Sequence, residues 1–262
     1  MNALRTAILR GARSRARPGA ATRGARPGDG LVFSQLRTYV EGDDPRRIDH
    51  AATARVGTLQ TRVFLEENAL VLAAILDESG SMRVGRKRPL LAAGQDALRT
   101  WFGAMENEDA AARIVDARVV RDRRAAPLAE AREPFAFATA LTIALRALPR
   151  GASLLAIGDG FDLPDDDLLA RAGLRFDATV LLARDPWRDD LPLAGFVRLR
   201  DGESGRVHRA YVDARTRSRY RSASREREAA LHARFAQAGW RTGVLDESDG
   251  RASLLRAFGL PG

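Results

Sequence analysis

Leu70-Val71-Leu72-Ala73-Ala74-Ile75-Leu76 runs apolar without a break and stops at Asp77-Glu78-Ser79-Gly80-Ser81-Met82. An unalternating apolar run of this length suits a strand covered on both faces, as in a parallel sheet between layers of helices. Leucine and alanine also favour helix, but the run ends abruptly at an acid, and helical periodicity resumes only near Pro89. In open α/β sheets, ligands sit just outside the carboxyl ends of the strands. Asp77, Ser79 and Ser81 are therefore expected at that rim. Three oxygen-bearing side chains on one short loop suit a hard cation such as Mg2+.

Downstream, strand and helix patterns alternate. Residues 89–105 carry apolar residues at helical spacing, and residues 111–120 read as one or two short strands weakened by Arg113 and Asp116. Residues 137–148 form an amphipathic helix stopped by Pro149. Ser153-Leu154-Leu155-Ala156-Ile157 is a second short apolar strand, ending at Gly158-Asp159-Gly160-Phe161-Asp162. A helix over 164–172 opens on Asp165, Asp166 and Asp167, which suits the helix dipole. A strand over 176–183 follows. Residues 196–212 break the alternation and read as a β-hairpin turning at Asp201-Gly202-Glu203-Ser204-Gly205. A long charged helix over 214–238, a strand over 242–245 and a helix over 248–258, capped by Ser248, complete the chain.

The bulk composition is that of a globular protein: 262 residues, 45% hydrophobic and 29% charged. Absence of cysteine excludes disulfides, thiolate metal sites and cysteine nucleophiles, and a reducing cytoplasm is the expected location. No apolar stretch is long enough to span a membrane. The net charge is +9, but residues 1–28 hold seven arginines and no acid, leaving +2 on residues 29–262. Residues 1–28, with Pro18 and Pro27, are expected to be a basic disordered tail, helical at most over the first ten residues. Such a tail can meet nucleic acid electrostatically, but without interleaved aromatics no specific nucleic-acid partner is expected.

Residues 29–67 form a segment of their own. Gly42-Asp43-Asp44-Pro45 is a turn signal, and Asp44, Arg46, Arg47 and Asp49 are candidates for an ion-pair cluster. A short helix over 51–56 and a strand over 58–65 follow. Phe33, Leu36-Arg37, Tyr39, Gly42-Asp43-Asp44, Arg46, Ile48-Asp49 and Ala54-Arg55 occur in an order that resembles the signature of the domain of unknown function 58 family. Asp77-x-Ser79-x-Ser81-Met82 resembles that family's next block. His50 departs from it, standing where the family usually has tryptophan.

The resemblance implies a von Willebrand factor type A-like fold over residues 68–262. This is an α/β architecture with a doubly wound, mainly parallel sheet, here with an N-terminal extension and the hairpin insertion at about 196–212. It implies a metal-ion-dependent adhesion site at the rim: Ser79 and Ser81 contacting the cation through hydroxyls, Asp77 and Asp159 acting mainly through water, and Thr139 completing the set. The expected cation is Mg2+, with Mn2+ or Ca2+ as substitutes. The family further implies a protein partner, a MoxR-type AAA+ ATPase, in chaperone-like assembly. Ala140 stands where the family commonly has Asp, and Gly158 where it usually has Ser; both alter the surroundings that orient ligands.

A Mg2+-dependent phosphohydrolase or phosphotransferase with Asp77 as nucleophile is the competing reading, since covalent phosphoryl chemistry also uses an acid at such a strand end. Ser79 stands where a second carboxylate would be needed, and Lys87 is the only lysine. The three histidines lack ligand spacing, and neither a phosphate-binding glycine loop nor a Gly-x-Ser-x-Gly elbow is present. No catalytic residue is assigned.

Overall fold

The computed structural model describes residues 3–15, 31–41, 45–66, 70–106, 109–131, 134–189, 191–201 and 205–262. Contacts divide the chain into two units, Gly19–Ala69 and the remainder (Met1–Pro18 with Leu70–Gly262).

The larger unit begins with α1 (Ala3–Arg15). In the smaller unit, β1 (Leu31–Thr38) pairs antiparallel with β2 (Gln60–Glu66), and α2 (His50–Val56) lies between them in sequence. Asp49 caps α2 by accepting a hydrogen bond from the amide of Ala52 at 2.9 Å, which gives that residue a structural role. Residues 42–44, the core of the expected turn, lie outside the described residues.

The larger unit continues through β3 (Val71–Leu76), α3 (Leu90–Phe102), β4 (Ala110–Val115), β5 (Arg118–Val120), α4 (Phe137–Ala147), β6 (Ser153–Gly158) and α5 (Asp166–Arg175). It ends with β7 (Asp177–Ala183), β8 (Gly195–Arg200), β9 (Val207–Val212), α6 (Ala214–Gln237), β10 (Arg241–Leu245) and α7 (Gly250–Ala257). Six of these strands make one sheet in the order β10-β7-β6-β3-β4-β5. Every pair is parallel except β4 with the edge strand β5. The expected α/β class with a mainly parallel sheet is therefore present, and β8 with β9 forms the expected antiparallel hairpin.

The burial of β3 explains its unbroken apolar sequence. Leu72, Ala74 and Leu76 face a core built with α1, α3 and α7. Ala73 and Ile75 face the opposite core, built with α4, α5 and α6. Helices thus cover both faces, and no position on the strand is left for a polar side chain. Inside these cores the indoles of Trp101 and Trp240 donate to the carbonyls of Ala73 (3.1 Å) and Leu169 (2.9 Å), as buried tryptophan N–H groups require.

Two expectations are corrected. Residues 3–15 are not a disordered tail. Leu4 and Ile8, one helical turn apart, are completely buried, and Arg5 pairs with the buried carboxylate of Asp109, which also accepts from the amides of Leu70 and Glu106. Seven arginines dominate the average composition, but Leu4 and Ile8, with Leu9 packed beside them, and the ion pairs of Arg5 with Asp109 and Glu106 dock this short helix. Residues 16–28, the rest of the expected tail, lie outside the described residues. The cap of α7 is Asp249, not Ser248: its carboxylate accepts from the amide of Ala252 at 2.8 Å. Ser248 instead hydrogen-bonds Asp246.

α7 can approach α3 closely because it starts on glycine. A Cβ at Gly250 would lie 1.8 Å from the carbonyl oxygen of Ala93. Gly250→Ala should therefore destabilise by about 1–3 kcal/mol through overpacking, the reverse of the usual gain from alanine in a helix. A lowered urea midpoint at unchanged slope is the expected result.

Candidate functional site

The order of strands in the main sheet creates a crevice. From β3 the chain moves outward to β4 and β5, then returns to place β6 on the other side of β3. The reversal falls between β3 and β6, and at such a switch point the flanking loops diverge and leave room for a ligand. Asp77 follows β3 and Asp159 follows β6. Both acids therefore stand at the rim that the sequence indicates.

Asp77 is nearly fully buried, and its amide donates to the carbonyl of Ile157 at 2.8 Å, carrying the β3–β6 pairing one residue past the strand. Its Oδ1 accepts from the amide of Ser79 at 2.9 Å, a local turn that fixes the start of the loop. The hydroxyls of Ser79 and Ser81 lie 3.0 Å apart. A short 3-10 turn, Ser81–Arg83, follows, and its Met82 is fully buried, so the loop is anchored in the core just beyond the two serines.

Asp159 repeats the turn of Asp77, its Oδ1 accepting from the amide of Phe161 at 2.9 Å. Its Oδ2 is buried and has no hydrogen-bond partner among the described residues. A buried carboxylate oxygen left unpaired is costly, and it calls for a donor or a cation. Arg227 of α6 supports this loop from outside. Its guanidinium donates to the carbonyl of Gly160 at 2.9 Å and lies 3.6 Å from the ring centroid of Phe161.

Thr139 lies in the first turn of α4 and is exposed, and no hydrogen bond joins it to the other four expected ligands. The start of its helix is nevertheless tied to the crevice. Ala136 cannot cap α4, and Asp162 does so from the β6 loop, accepting from the amide of Phe137 at 2.8 Å. Asp77, Phe137, Gly158 and Asp162 border a cavity of about 20 Å³, enough for one water.

The two departures from the family pattern have distinct surroundings. A Cβ on Gly158 would lie 3.1 Å from the Cβ of Asp77 and 3.2 Å from its Oδ2. Glycine thus leaves space beside that carboxylate which serine would crowd. Ala140 is buried in the core beneath α4. Among the described residues, no group of three or more His, Cys, Asp or Glu is placed to hold a metal. Any cation here would depend on hydroxyls and water beside two carboxylates. The unpaired Asp159 oxygen, the paired serine hydroxyls and the space left by Gly158 fit a hard, largely hydrated cation such as Mg2+.

Glu78, between Asp77 and Ser79, points elsewhere. It accepts from Arg113 of β4 at 2.7 Å and from the amide of Ala131 at 2.7 Å. Arg113 is only 1% exposed, and its Nε and Nη1 have no hydrogen-bond partner among the described residues. Burial pulls the Arg113 guanidinium below its ordinary pKa, and the Glu78 carboxylate opposes that shift. The rim loop is thereby stapled to the neighbouring strand.

The model of a family described as "Protein of unknown function DUF58" matches residues 35–230. The uncharacterized proteins Mb1516 of Mycobacterium bovis and Rv1480 of Mycobacterium tuberculosis are each 29% identical to the chain, across 76% of it and 69% of their own length. A solved structure described as an aerotolerance-related membrane protein from Bacteroides fragilis is similar at 17% identity and a TM-score of 0.36, covering 65% of this chain and all of that one. Among the described residues, no helix is long and apolar enough to cross a membrane.

Glu78→Gln should leave Arg113 as an uncompensated buried cation and lower the unfolding free energy by about 3–5 kcal/mol. Replacing both partners, as Glu78→Leu with Arg113→Met, should recover most of that loss in urea denaturation. Asp162→Ala should cost about 0.5–2 kcal/mol, the usual penalty for losing an N-terminal helix cap, read by the same titration.

Proposed function

This chain belongs to the DUF58 family, and on that premise, with the geometry of its rim, we propose that it is a non-enzymatic protein-binding module with a metal-ion-dependent adhesion site. In this reading the larger unit is a von Willebrand factor type A-like domain. Ser79, Ser81 and Thr139 hold the cation through hydroxyls, and Asp77 and Asp159 through bound water. Mg2+ is the proposed ion. When bound, it supplies an electrophilic position that a carboxylate from another protein can fill. The chain's own residues hold the loops in place.

The observation that carries this reading is the buried, unpaired Oδ2 of Asp159 at the switch point. Support also comes from the matching turns at Asp77 and Asp159, which present both carboxylates from rigid strand ends. The partner proposed from family membership is a MoxR-type AAA+ ATPase, with an acidic residue as the metal-seeking group. A phosphotransferase reading is less well supported. Asp77 is buried and already engaged by the amide of Ser79, and the amide of Lys87 lies in a segment held by Glu247.

Denaturation in Mg2+ and in EDTA tests the site. At a Mg2+ concentration about one hundred times its dissociation constant, the gain should be about 2.7 kcal/mol. Asp77→Ala should abolish that gain. Asp159→Asn should abolish it too, while leaving stability in EDTA unreduced, because it removes the charge of a carboxylate whose buried Oδ2 lacks a partner. An unchanged Mg2+ response in Asp77→Ala would overturn the site. Co-purification with the AAA+ ATPase should likewise be lost in EDTA and in Asp77→Ala.

A further inference from the structure

The β8–β9 hairpin plays no part in the rim, yet its surface is unusual. In its register Phe196 faces Tyr211, Arg198 faces Arg209, and Arg200 faces Val207. Residues directly opposite one another share a face of the ribbon, and alternate residues along a strand return to it. One face therefore carries an aromatic pair, an arginine pair and then arginine beside valine. Phe196 is 90% exposed and Tyr211 60%. Their rings meet edge to face at 5.0 Å.

Arg198 opposite Arg209 is a like-charge pair, which destabilises a ribbon in isolation. The side chains of Arg198, Arg200 and Arg209 form no ion pair among the described residues. This contrasts with the arginines around α6, where Arg188, Arg225 and Arg234 all pair with carboxylates. Residues 195–221 contain eight arginines against three acids. Arg215 and Arg219, in the first turns of α6, likewise form no ion pair among the described residues.

We propose that this hairpin face is a second docking surface, and that its occupant is an acidic protein segment with apolar side chains between its carboxylates. The unpaired arginines supply the charge complement, and Phe196 with Tyr211 supplies the apolar anchor. Exposed aromatic residues and arginine are the residue types enriched at the energetic centres of protein interfaces. Nucleic acid is disfavoured by the aromatic geometry. The two rings engage one another edge to face and do not offer parallel open faces on which successive bases could stack. The surface is independent of the proposed metal site and does not require it.

The test uses the full chain in EDTA, so that a metal-mediated grip is silent. The probe is a short fluorescein-labelled peptide alternating glutamate with leucine and phenylalanine, and binding is read by anisotropy. Arg198→Glu with Arg209→Glu should weaken binding by at least about tenfold, as should Phe196→Ser alone. A control pair of exposed arginines, Arg171→Glu with Arg251→Glu, changes the net charge equally and should have little effect. Equal loss in the control pair would reduce the effect to net charge and overturn the proposal. So would unaltered binding in Phe196→Ser, or tighter binding through the same residues of an oligo-dT strand or of phosphatidylglycerol vesicles.

Discussion

The parallel pairing of β3 with β6 is the constraint on which the larger unit rests. It places two covered strands side by side at the centre of the sheet, and it is also where the strand order reverses. Once these strands pair, their apolar side chains require helices on both faces, and the loops at their carboxyl ends must diverge. The bond from the Asp77 amide to Ile157 extends the pairing to the first polar residue. A single ladder thus joins the packing of the core to the placement of the crevice. Each carboxylate is held by an amide two residues ahead, so its orientation is set by the first turn of the loop that leaves the strand.

Much of this architecture is legible in the linear sequence because its signals are local. The run from Leu70 to Leu76 needs no partner to be read as a covered strand. Asp77 and Asp159 mark the ends of two such runs. What could not be read depends on distant partners. Arg113 looks like a defect in a strand until Glu78, 35 positions earlier, neutralises it across the sheet. Asp162 resembles one more surface acid until it caps a helix that begins 25 residues before it. β1 was obscured for another reason: its register shifts between Phe33 and Gln35, and a bulge of this kind breaks the alternation by which a half-buried strand is recognised. Leu4 and Ile8 were hidden by the arginines around them. In the candidate site, Asp77, Ser79 and Ser81 belong to one loop and their grouping is visible in the sequence. The positions of Thr139 and Asp159 depend on topology.

The charge distribution separates two kinds of arginine. Arg5, Arg113 and Arg227 act inside the structure, binding carboxylates or backbone carbonyls. Among the described residues, Arg198, Arg200 and Arg209 on the hairpin face have no such employment. A high total of basic residues therefore says little until each is assigned a partner, and the sequence alone cannot make that assignment.

Arg227 has a further consequence. It lies 68 positions beyond Asp159, on a helix reached only after the hairpin has been completed, yet it holds the carbonyls of the Asp159 loop. During synthesis five of the sheet's six strands, β3 to β7, emerge before this clamp does. Those strands can therefore pair while one lip of the crevice still lacks support, with the edge strand β10 yet to come. Support of the Asp159 loop is thus a late event in the synthesis of the chain: it waits for α6, the helix that also helps to cover one face of the sheet.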